Sequence, residues 1–136
     1  MWEHFHHLAD IGVRGTAATL EGAFEDAAVA LMAVICNPGE VTPQTAVEIR
    51  CDAPESDILL ADWLNALIYE MDVRKMLFSK FSVHIDGENL SAVAWGEKAD
   101  PARHQTAVEV KAATYMELKV IKNTDGQWIA QCVVDV

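Results

Sequence analysis

The chain has 136 residues, of which 51% are hydrophobic and 23% charged, so it suits one compact domain and is too apolar for a disordered acidic protein. Its formal net charge of −11 comes entirely from residues 1–72, which hold 13 acidic side chains but only two basic ones, Arg14 and Arg50. Broad nonspecific binding to nucleic acid is therefore not expected of that half, whereas basic proteins and cations remain suitable partners.

No run of about 18 apolar residues could span a membrane, and the first ten residues lack the basic start and apolar core of a signal peptide. We therefore expect a cytoplasmic protein. The three cysteines are isolated and stand among apolar neighbours, which favours buried structural thiols over a disulfide framework or a paired-cysteine metal site. These residues are Cys36, Cys51 and Cys132.

The chain begins with a predicted strand and helix. Residues Ile11–Thr16 alternate apolar and small side chains, as a strand does, and Thr19 is a suitable N-cap for the helix that follows. In that helix apolar residues recur at three- and four-residue steps over Leu20–Ile35. The Asn-Pro-Gly sequence at 37–39 ends it, because proline and glycine do not continue a helix.

A second strand and helix follow. The strand Val47–Asp52 has one apolar and one charged face. Ser56 then caps a helix whose first turn carries Asp57 at the positive end of the helix dipole and which ends near Val73. The charged residues of both helices fall outside their apolar stripes, so we expect much of the negative charge on two solvent-exposed helix faces.

The second half of the chain predicts strands almost throughout. Two form a hairpin, followed by an irregular polar stretch over 96–106 and by three more strands, with a turn at 123–126 before the last. The predicted strands are Phe81–Ile85, Leu90–Trp95, Ala107–Ala113, Met116–Lys122 and Gln127–Val134. This order indicates an α+β fold: a single domain over residues 1–136, in which a largely antiparallel β-sheet packs against two amphipathic helices.

The commonest sequence signatures of enzymes are absent. There is no phosphate loop, Rossmann glycine motif, HExxH, G-x-S-x-G or paired-cysteine zinc spacing, and no catalytic residue is assigned. Three regions remain as candidate sites, of which the first is the histidine-rich start: His4, His6 and His7 with Asp10. It suits either a transition-metal site or an ordinary polar surface, since ligand type alone selects weakly.

The second region is the chain end, where an apolar strand runs to the last residue. A docked terminus would hold the carboxylate of Val136 beside Asp135. Two carboxylates so close favour a hard cation such as Ca²⁺ or Mg²⁺, unless both are simply solvated. The third region is the charged loop Gly96–Asp100 with His104, followed by Lys111, and it is either a solvated loop or a functional one.

Taken in order, these segments resemble the archease family over essentially the whole chain. Each motif is weak by itself, but the ordered set is highly specific. The segments that carry the resemblance are His7–Gly15, Thr19–Phe24, Trp63–Tyr69, Gly96–Asp100 with His104, Glu109–Tyr115, Gly126–Gln131 and the Asp135-Val136 end. Two positions depart from the family pattern, because Leu8 stands where a threonine is usual and Met116 where a histidine commonly follows Thr-Tyr.

The resemblance implies a cytoplasmic accessory protein, not an enzyme, that promotes guanylylation of an RtcB-type RNA ligase and its multiple turnover in tRNA splicing and RNA repair. RNA would be met only through the ligase, with no membrane involved. The resemblance also implies a divalent cation, Ca²⁺ first and Mg²⁺ or Mn²⁺ as alternatives, held by Asp10, Asp135 and the carboxylate of Val136. Residues expected to contact the partner or to support the metal ligands are His7, Glu97, Lys98, Asp100, His104 and Lys111.

Two other interpretations stay open. A small metal-dependent hydrolase would use an aspartate-held cation to activate water, with His104 or Glu97 as base, although neither stands at a recognisable spacing from the metal candidates. A chaperone-like binding module would need an exposed apolar groove. The accessory role makes a geometric prediction: Asp10 and the chain end should be neighbours, since their carboxylates form a hard-oxygen site only together.

Overall fold

Two antiparallel sheets and two helices make up the structure, a computed structural model that describes all 136 residues. In chain order the elements are β1 (Trp2–His7), β2 (Asp10–Ala17), α1 (Leu20–Ile35), β3 (Thr45–Asp52), α2 (Ser56–Arg74), β4 (Met76–Asp86), β5 (Asn89–Lys98), β6 (Ala112–Ala113), β7 (Lys119–Lys122) and β8 (Trp128–Asp135). A short 3₁₀ helix, Pro38–Glu40, lies between α1 and β3. No helix is both long and apolar enough to cross a membrane.

The predicted α+β class is confirmed, but the strands form two sheets instead of one. Sheet A has the order β1-β2-β8-β6, and β7 also pairs with β8. Sheet B has the order β3-β5-β4. All of these pairings are antiparallel. Because β8 has neighbours on both sides, the C-terminal strand is central in sheet A, which explains why its sequence is apolar almost to the end.

Helix α1 begins and ends where the sequence predicts. Thr19 accepts a hydrogen bond at Oγ1 from the N–H of Gly22 (3.0 Å), and the helix ends at Ile35, three residues before Pro38. Its buried residues lie on more than one side, because the helix contacts β2 of sheet A and β4 of sheet B. Helix α1 is therefore enclosed between the two sheets instead of resting on one of them.

Two of the three acidic residues of α1 have partners on other parts of the chain. Glu25 accepts a hydrogen bond at Oε2 from the N–H of Val83 in β4 (2.8 Å), and Asp26 forms an ion pair with the amino group of Met1. The expectation of a free acidic face on α1 is therefore wrong for Glu25 and Asp26. These two carboxylates bind a main-chain N–H of sheet B and the amino group that precedes β1 of sheet A.

Helix α2 packs on the same core and contacts strands of both sheets. The predicted cap residue Ser56 is instead the first residue of the helix, and Glu55 at the capping position makes no side-chain hydrogen bond. The helix ends at Arg74, after which Lys75 adopts a left-handed backbone with a φ of 54°. Trp63 is fully buried, and its Nε1 donates to the carbonyl oxygen of Phe24 (3.1 Å).

Two predicted strands are shorter than expected, and one strand is new. Within the predicted Ala107–Ala113 and Met116–Lys122, only β6 and β7 pair with β8. The chain between them turns at Glu117, whose φ is 54°, and this interrupts the ladder. The sequence does not predict β1, because an edge strand with histidines on both faces lacks the apolar alternation by which a strand is recognised.

All three cysteines are free, as predicted. Cys36 and Cys132 are buried, and Cys51 is half-buried. The prediction of structural thiols is therefore confirmed for the first two and holds in part for Cys51.

Candidate functional site

Residues near the start and at the end of the chain meet at one end of the strands of sheet A. Strands β1 and β2 form a hairpin in which His7 pairs with Asp10 across the turn. Strand β2 also pairs with β8, and the last pair is Ile11 with Val134. The next position along each strand is Asp10 and Asp135, so the register places these aspartates at the same sheet end. We call Asp10, Asp135 and Val136 the acidic tip; all three are half-buried.

Asp135 is held from its other side as well. It pairs with Ala112 of β6, and its carbonyl oxygen accepts a hydrogen bond from the N–H of Lys111 (2.8 Å). The strand end that carries the tip is therefore fixed between two neighbours, in contrast to the fraying that is usual at chain ends. This agrees with the expectation of a docked terminus.

Histidine 7 adds an unusual feature beside the tip. Its Nδ1 is the one buried side-chain nitrogen or oxygen in the chain without a hydrogen-bond partner. Burying a polar atom without a partner costs free energy, so this atom is suited to a ligand or an ordered donor. Its neighbour across the hairpin is Asp10.

The donor set of the tip fits a hard divalent cation. Carboxylate oxygens of Asp10 and Asp135 and the carboxylate of Val136 are the ligands that Ca²⁺ and Mg²⁺ prefer. No group of three or more His, Cys, Asp or Glu side chains is arranged to hold a metal ion. A cation here would therefore depend on the main-chain carboxylate as well as on the two aspartates.

The histidine-rich start does not converge on one point. His4 points toward α1, where its Nε2 lies 2.7 Å from the carbonyl oxygen of Ala30, and its ring stacks at a tilt against Trp2. His7 lies on the opposite face of the strand, as alternation along β1 requires. The interpretation of His4, His6 and His7 as one transition-metal site therefore has no support in the geometry.

A second cluster of polar groups lies at the end of β5. Oε2 of Glu97 accepts hydrogen bonds from the N–H of Thr42 (2.7 Å) and from Nε2 of His104 (2.9 Å), and it pairs with the guanidinium of Arg103. Glu97 and His104 are 5% and 2% exposed. We call Glu97, Arg103, His104 and Thr42 the Glu97 cluster.

The hydrogen bonds of the cluster keep Glu97 ionised and select one tautomer of His104. The Thr42 N–H contributes most to lowering the pKa of Glu97 to about 2; burial opposes this, and His104 and Arg103 add to it. Nδ1 of His104 accepts from the N–H of Asp100 (2.9 Å), so Nε2 carries the proton and donates to Glu97. Neither group is free to act as a general base near pH 7, which argues against the hydrolase interpretation.

The structure thus divides the residues expected to contact a partner. Glu97 and His104 are buried, His7 is half-buried beside the acidic tip, and the other three residues are exposed. Of these, Lys98 donates from Nζ to the carbonyl oxygen of Arg74 (3.0 Å), and Asp100 accepts from the N–H of Ala102 (3.0 Å). The side chain of Lys111 is exposed and makes no hydrogen bond or ion pair.

A cleft of about 630 Å³ opens beside Lys111, between α2 and residues 109–111. Eight of its 13 lining residues are hydrophobic. Sequence reasoning missed this cleft, although α2 gives a signal for it: Tyr69, which lines the cleft, is a large apolar residue on the exposed side of the helix. An exposed apolar surface of this kind is what binding modules offer to a partner.

Together, a helix enclosed by two antiparallel sheets and a C-terminal strand at the centre of one of them define a small α+β domain. The model of the "Archease protein family (MTH1598/TM1083)" matches residues 2–136. The chain therefore belongs to the archease family.

Relatives and solved structures agree with this assignment. The archease proteins of Pyrococcus abyssi and Sulfurisphaera tokodaii are 41% and 42% identical to the chain; each comparison covers 99% of the chain and 98% of the relative. The solution structure of protein 1598 from Methanobacterium thermoautotrophicum has a TM-score of 0.87 at 30% identity, covering 99% of this chain and 98% of that one. A Thermotoga maritima archease, described as a possible chaperone, shares the fold with a TM-score of 0.65 at 21% identity, covering 100% and 98%.

Proposed function

We propose that the chain is a cytoplasmic accessory protein of an RtcB-type RNA ligase. In this role it promotes guanylylation of the ligase and its multiple turnover in tRNA splicing and RNA repair, and it meets RNA only through the ligase. Membership of the archease family supports this proposal. The structural observation that carries it is the register that places Asp10 and Asp135 at one sheet end.

The acidic tip is the proposed point of action. Asp10 and Asp135 project from neighbouring strands, and the carboxylate of Val136 follows directly. Like charges so close repel one another. A bound divalent cation, Ca²⁺ first and Mg²⁺ or Mn²⁺ as alternatives, supplies the positive charge that offsets this repulsion. His7 supports the same site, because its unpartnered Nδ1 lies across the hairpin from Asp10.

The hairpin turn gives the tip access to a partner. Leu8 is 81% exposed and has a left-handed backbone with a φ of 51°. This conformation is uncommon for leucine, and such strain concentrates at functional sites. We propose that the protruding turn and the tip enter the ligase active site together.

The protein itself is proposed to have no catalytic activity. The hydrolase alternative would need Glu97 or His104 as its base. Both side chains are already hydrogen-bonded to each other and to main-chain N–H groups. A chaperone-like role is the second candidate, and the apolar cleft beside α2 is the observation that favours it. The two roles differ in their dependence on the acidic tip.

The deciding experiment is a guanylylation and multiple-turnover ligation assay of the cognate ligase, with and without this protein. We expect wild type to stimulate both steps and Asp10→Asn and Asp135→Asn to lose most of that stimulation. Asp125→Asn is the matched control, because Asp125 lies in an exposed turn away from the tip. Stimulation by Asp10→Asn equal to that of wild type would contradict the metal-dependent role and favour the chaperone-like one.

A C-terminal extension tests the main-chain ligand separately. Added residues would convert the carboxylate of Val136 into a peptide group and remove one charge from the tip. We expect the extended protein to lose stimulation, while a tag at the amino end leaves it in place. Full activity of the extended protein would remove Val136 from the proposed ligand set.

A further inference from the structure

Residues 105–111, which we call the strap, lie outside the helices and strands, and the last three of them line one wall of the cleft. Six of its seven residues are exposed, and Val110 alone is buried. Between its ends it makes one backbone hydrogen bond, from the N–H of Ala107 to the carbonyl oxygen of Ile35 (2.8 Å). These few contacts do not offset the conformational entropy that is lost when seven residues are fixed. The position of the strap must therefore depend on how its two ends are held.

The first end is held by the Glu97 cluster. The turn before the strap closes through two hydrogen bonds between residues 100 and 104: the His104 N–H donates to the Asp100 carbonyl oxygen (2.7 Å), and the Asp100 N–H donates to Nδ1 of His104 (2.9 Å). Nε2 of His104 then donates to the buried carboxylate of Glu97. Because both ring nitrogens are used, the imidazole has one orientation, and it fixes where the strap begins.

The second end lies at the acidic tip. The N–H of Lys111 donates to the carbonyl oxygen of Asp135 (2.8 Å), and Ala112 pairs with Asp135 in the sheet. Asn65 of α2 secures the next residue, because its side-chain amide both donates to and accepts from the main chain of Ala113 (3.1 and 2.8 Å). The strap therefore connects a buried ion cluster with the main chain of a proposed metal ligand.

We propose that Glu97 is a positioning residue for the acidic tip, acting through His104 and the strap on the contact between Lys111 and Asp135. This inference rests on the proposed function, because the proposed function is what assigns a bound cation to the acidic tip. If Glu97 releases His104, the strap gains freedom and the N–H of Lys111 is held less firmly. Asp135 then presents its carboxylate in a less fixed geometry, which lowers the affinity for a cation.

The test uses the full chain and two measurements. Amide hydrogen exchange follows the N–H groups of the strap and of Lys111, and calorimetric titration with Ca²⁺ follows the tip. For Glu97→Gln we expect exchange of the Lys111 amide to rise and Ca²⁺ affinity to fall, each by about tenfold. Amides of α1 and β2 should exchange faster only by the factor that the lower global stability sets, which is smaller than the factor at the Lys111 amide. Glu88→Gln removes the same charge from an exposed turn and should change neither measurement.

Arg103→Ala gives a milder version of the test, because its side chain is 51% exposed and only one donor to Glu97 is lost. We expect smaller changes in the same direction, with recovery in Arg103→Lys, which restores a charged donor. Unchanged exchange of the Lys111 amide in both Glu97→Gln and Arg103→Ala would overturn the inference. So would faster exchange with Ca²⁺ affinity equal to that of wild type.

The same data separate this inference from the proposed function. If wild type binds no Ca²⁺, the metal site of the proposed function fails, and with it the effect of Glu97 on a cation. A second outcome is that wild type binds Ca²⁺ and Asp10→Asn abolishes this binding, while Glu97→Gln does not weaken it. The metal site of the proposed function is then supported, and the positioning role of Glu97 is wrong.

Discussion

Gly15 of β2 lies against the main chain of Ala27 in α1, so closely that a Cβ atom at Gly15 would fall 2.4 Å from the Ala27 nitrogen and 2.2 Å from the carbonyl oxygen of Ala23. These are backbone atoms of a buried helix, which cannot move aside as the end of a flexible side chain can. The distance between α1 and sheet A therefore depends on the absence of a side chain at position 15.

Gly15→Ala should lower the free energy of unfolding by about 2–3 kcal/mol, because the helix must shift to make room for the methyl group. Urea denaturation followed by circular dichroism measures this change. The control is Gly87→Asn, at a turn where nothing lies within 4 Å of the added Cβ and where the φ of 62° is one that asparagine tolerates. A loss at Gly15 no larger than that at Gly87 would show that α1 is not packed as closely as described.

Asn65 should be needed to attach the β6 region to α2. Its side chain satisfies both main-chain groups of Ala113, donating to the carbonyl oxygen and accepting from the N–H. Asn65→Ala leaves both groups without a protein partner, which should cost about 1–3 kcal/mol of unfolding free energy. Chemical denaturation measures the total, and hydrogen exchange of the Ala113 amide localises it. Asn89→Ala, at an exposed position in β5, serves as the control and should change stability by less than about 0.5 kcal/mol.

Glu97 should make stability depend on pH in the acidic range. Its pKa is lowered from the usual 4.5 to about 2, chiefly by the Thr42 N–H, so unfolding takes up a proton between these pH values. The stabilisation by ionised Glu97 is therefore complete above pH 4.5 and is lost as the pH falls toward 2. Glu97→Gln lacks this contribution, so its unfolding midpoint should lie below that of wild type at pH 7 and approach it as the solution is acidified.

The comparison with Glu88→Gln isolates this effect from the general protonation of carboxylates. Glu88 is exposed in the β4–β5 turn, and its substitution should leave a difference from wild type that is small at every pH. A gap between wild type and Glu97→Gln that stays constant from pH 7 to pH 2 would be inconsistent with a lowered pKa in the folded state.

The elements that the sequence predicts well are those defined by local chemistry. Helix α1 has its cap at Thr19 and its stop at Pro38, and both act on the residues next to them. The division into two sheets is not local. It depends on pairings such as Ala112 with Asp135, between residues far apart in sequence, and no periodicity within one strand identifies its partner.

In the candidate site too, some features could be predicted from the sequence and others could not. The pairing of the Asp10 strand with the C-terminal strand could be anticipated only through the family resemblance, which implies one cation site for Asp10 and the chain end. The cluster around Glu97 could not, because Thr42 and Glu97 are 55 positions apart and meet only once β3 and β5 are paired. From sequence alone, Glu97 and His104 have the appearance of a charged surface loop, and only their burial assigns them to the interior.

The three thiols should be nearly inert in the folded protein at pH 8. Burial raises the pKa of Cys36 and of Cys51 to about 11 and that of Cys132 to about 12; the carboxylate of Glu40 adds to the effect at Cys36. At pH 8 the thiolate, the form that attacks disulfide reagents, is then roughly one molecule in a thousand at Cys36 and Cys51 and roughly one in ten thousand at Cys132. Labelling with such a reagent should be slow in buffer and should reach all three cysteines quickly in urea.

Cys51 should react first because it is only half-buried, and Cys51→Ser should remove that early phase while leaving the other two rates unchanged. Rapid labelling of Cys132 in the folded protein would mean that β8 is accessible to solvent, which is incompatible with its central place in sheet A.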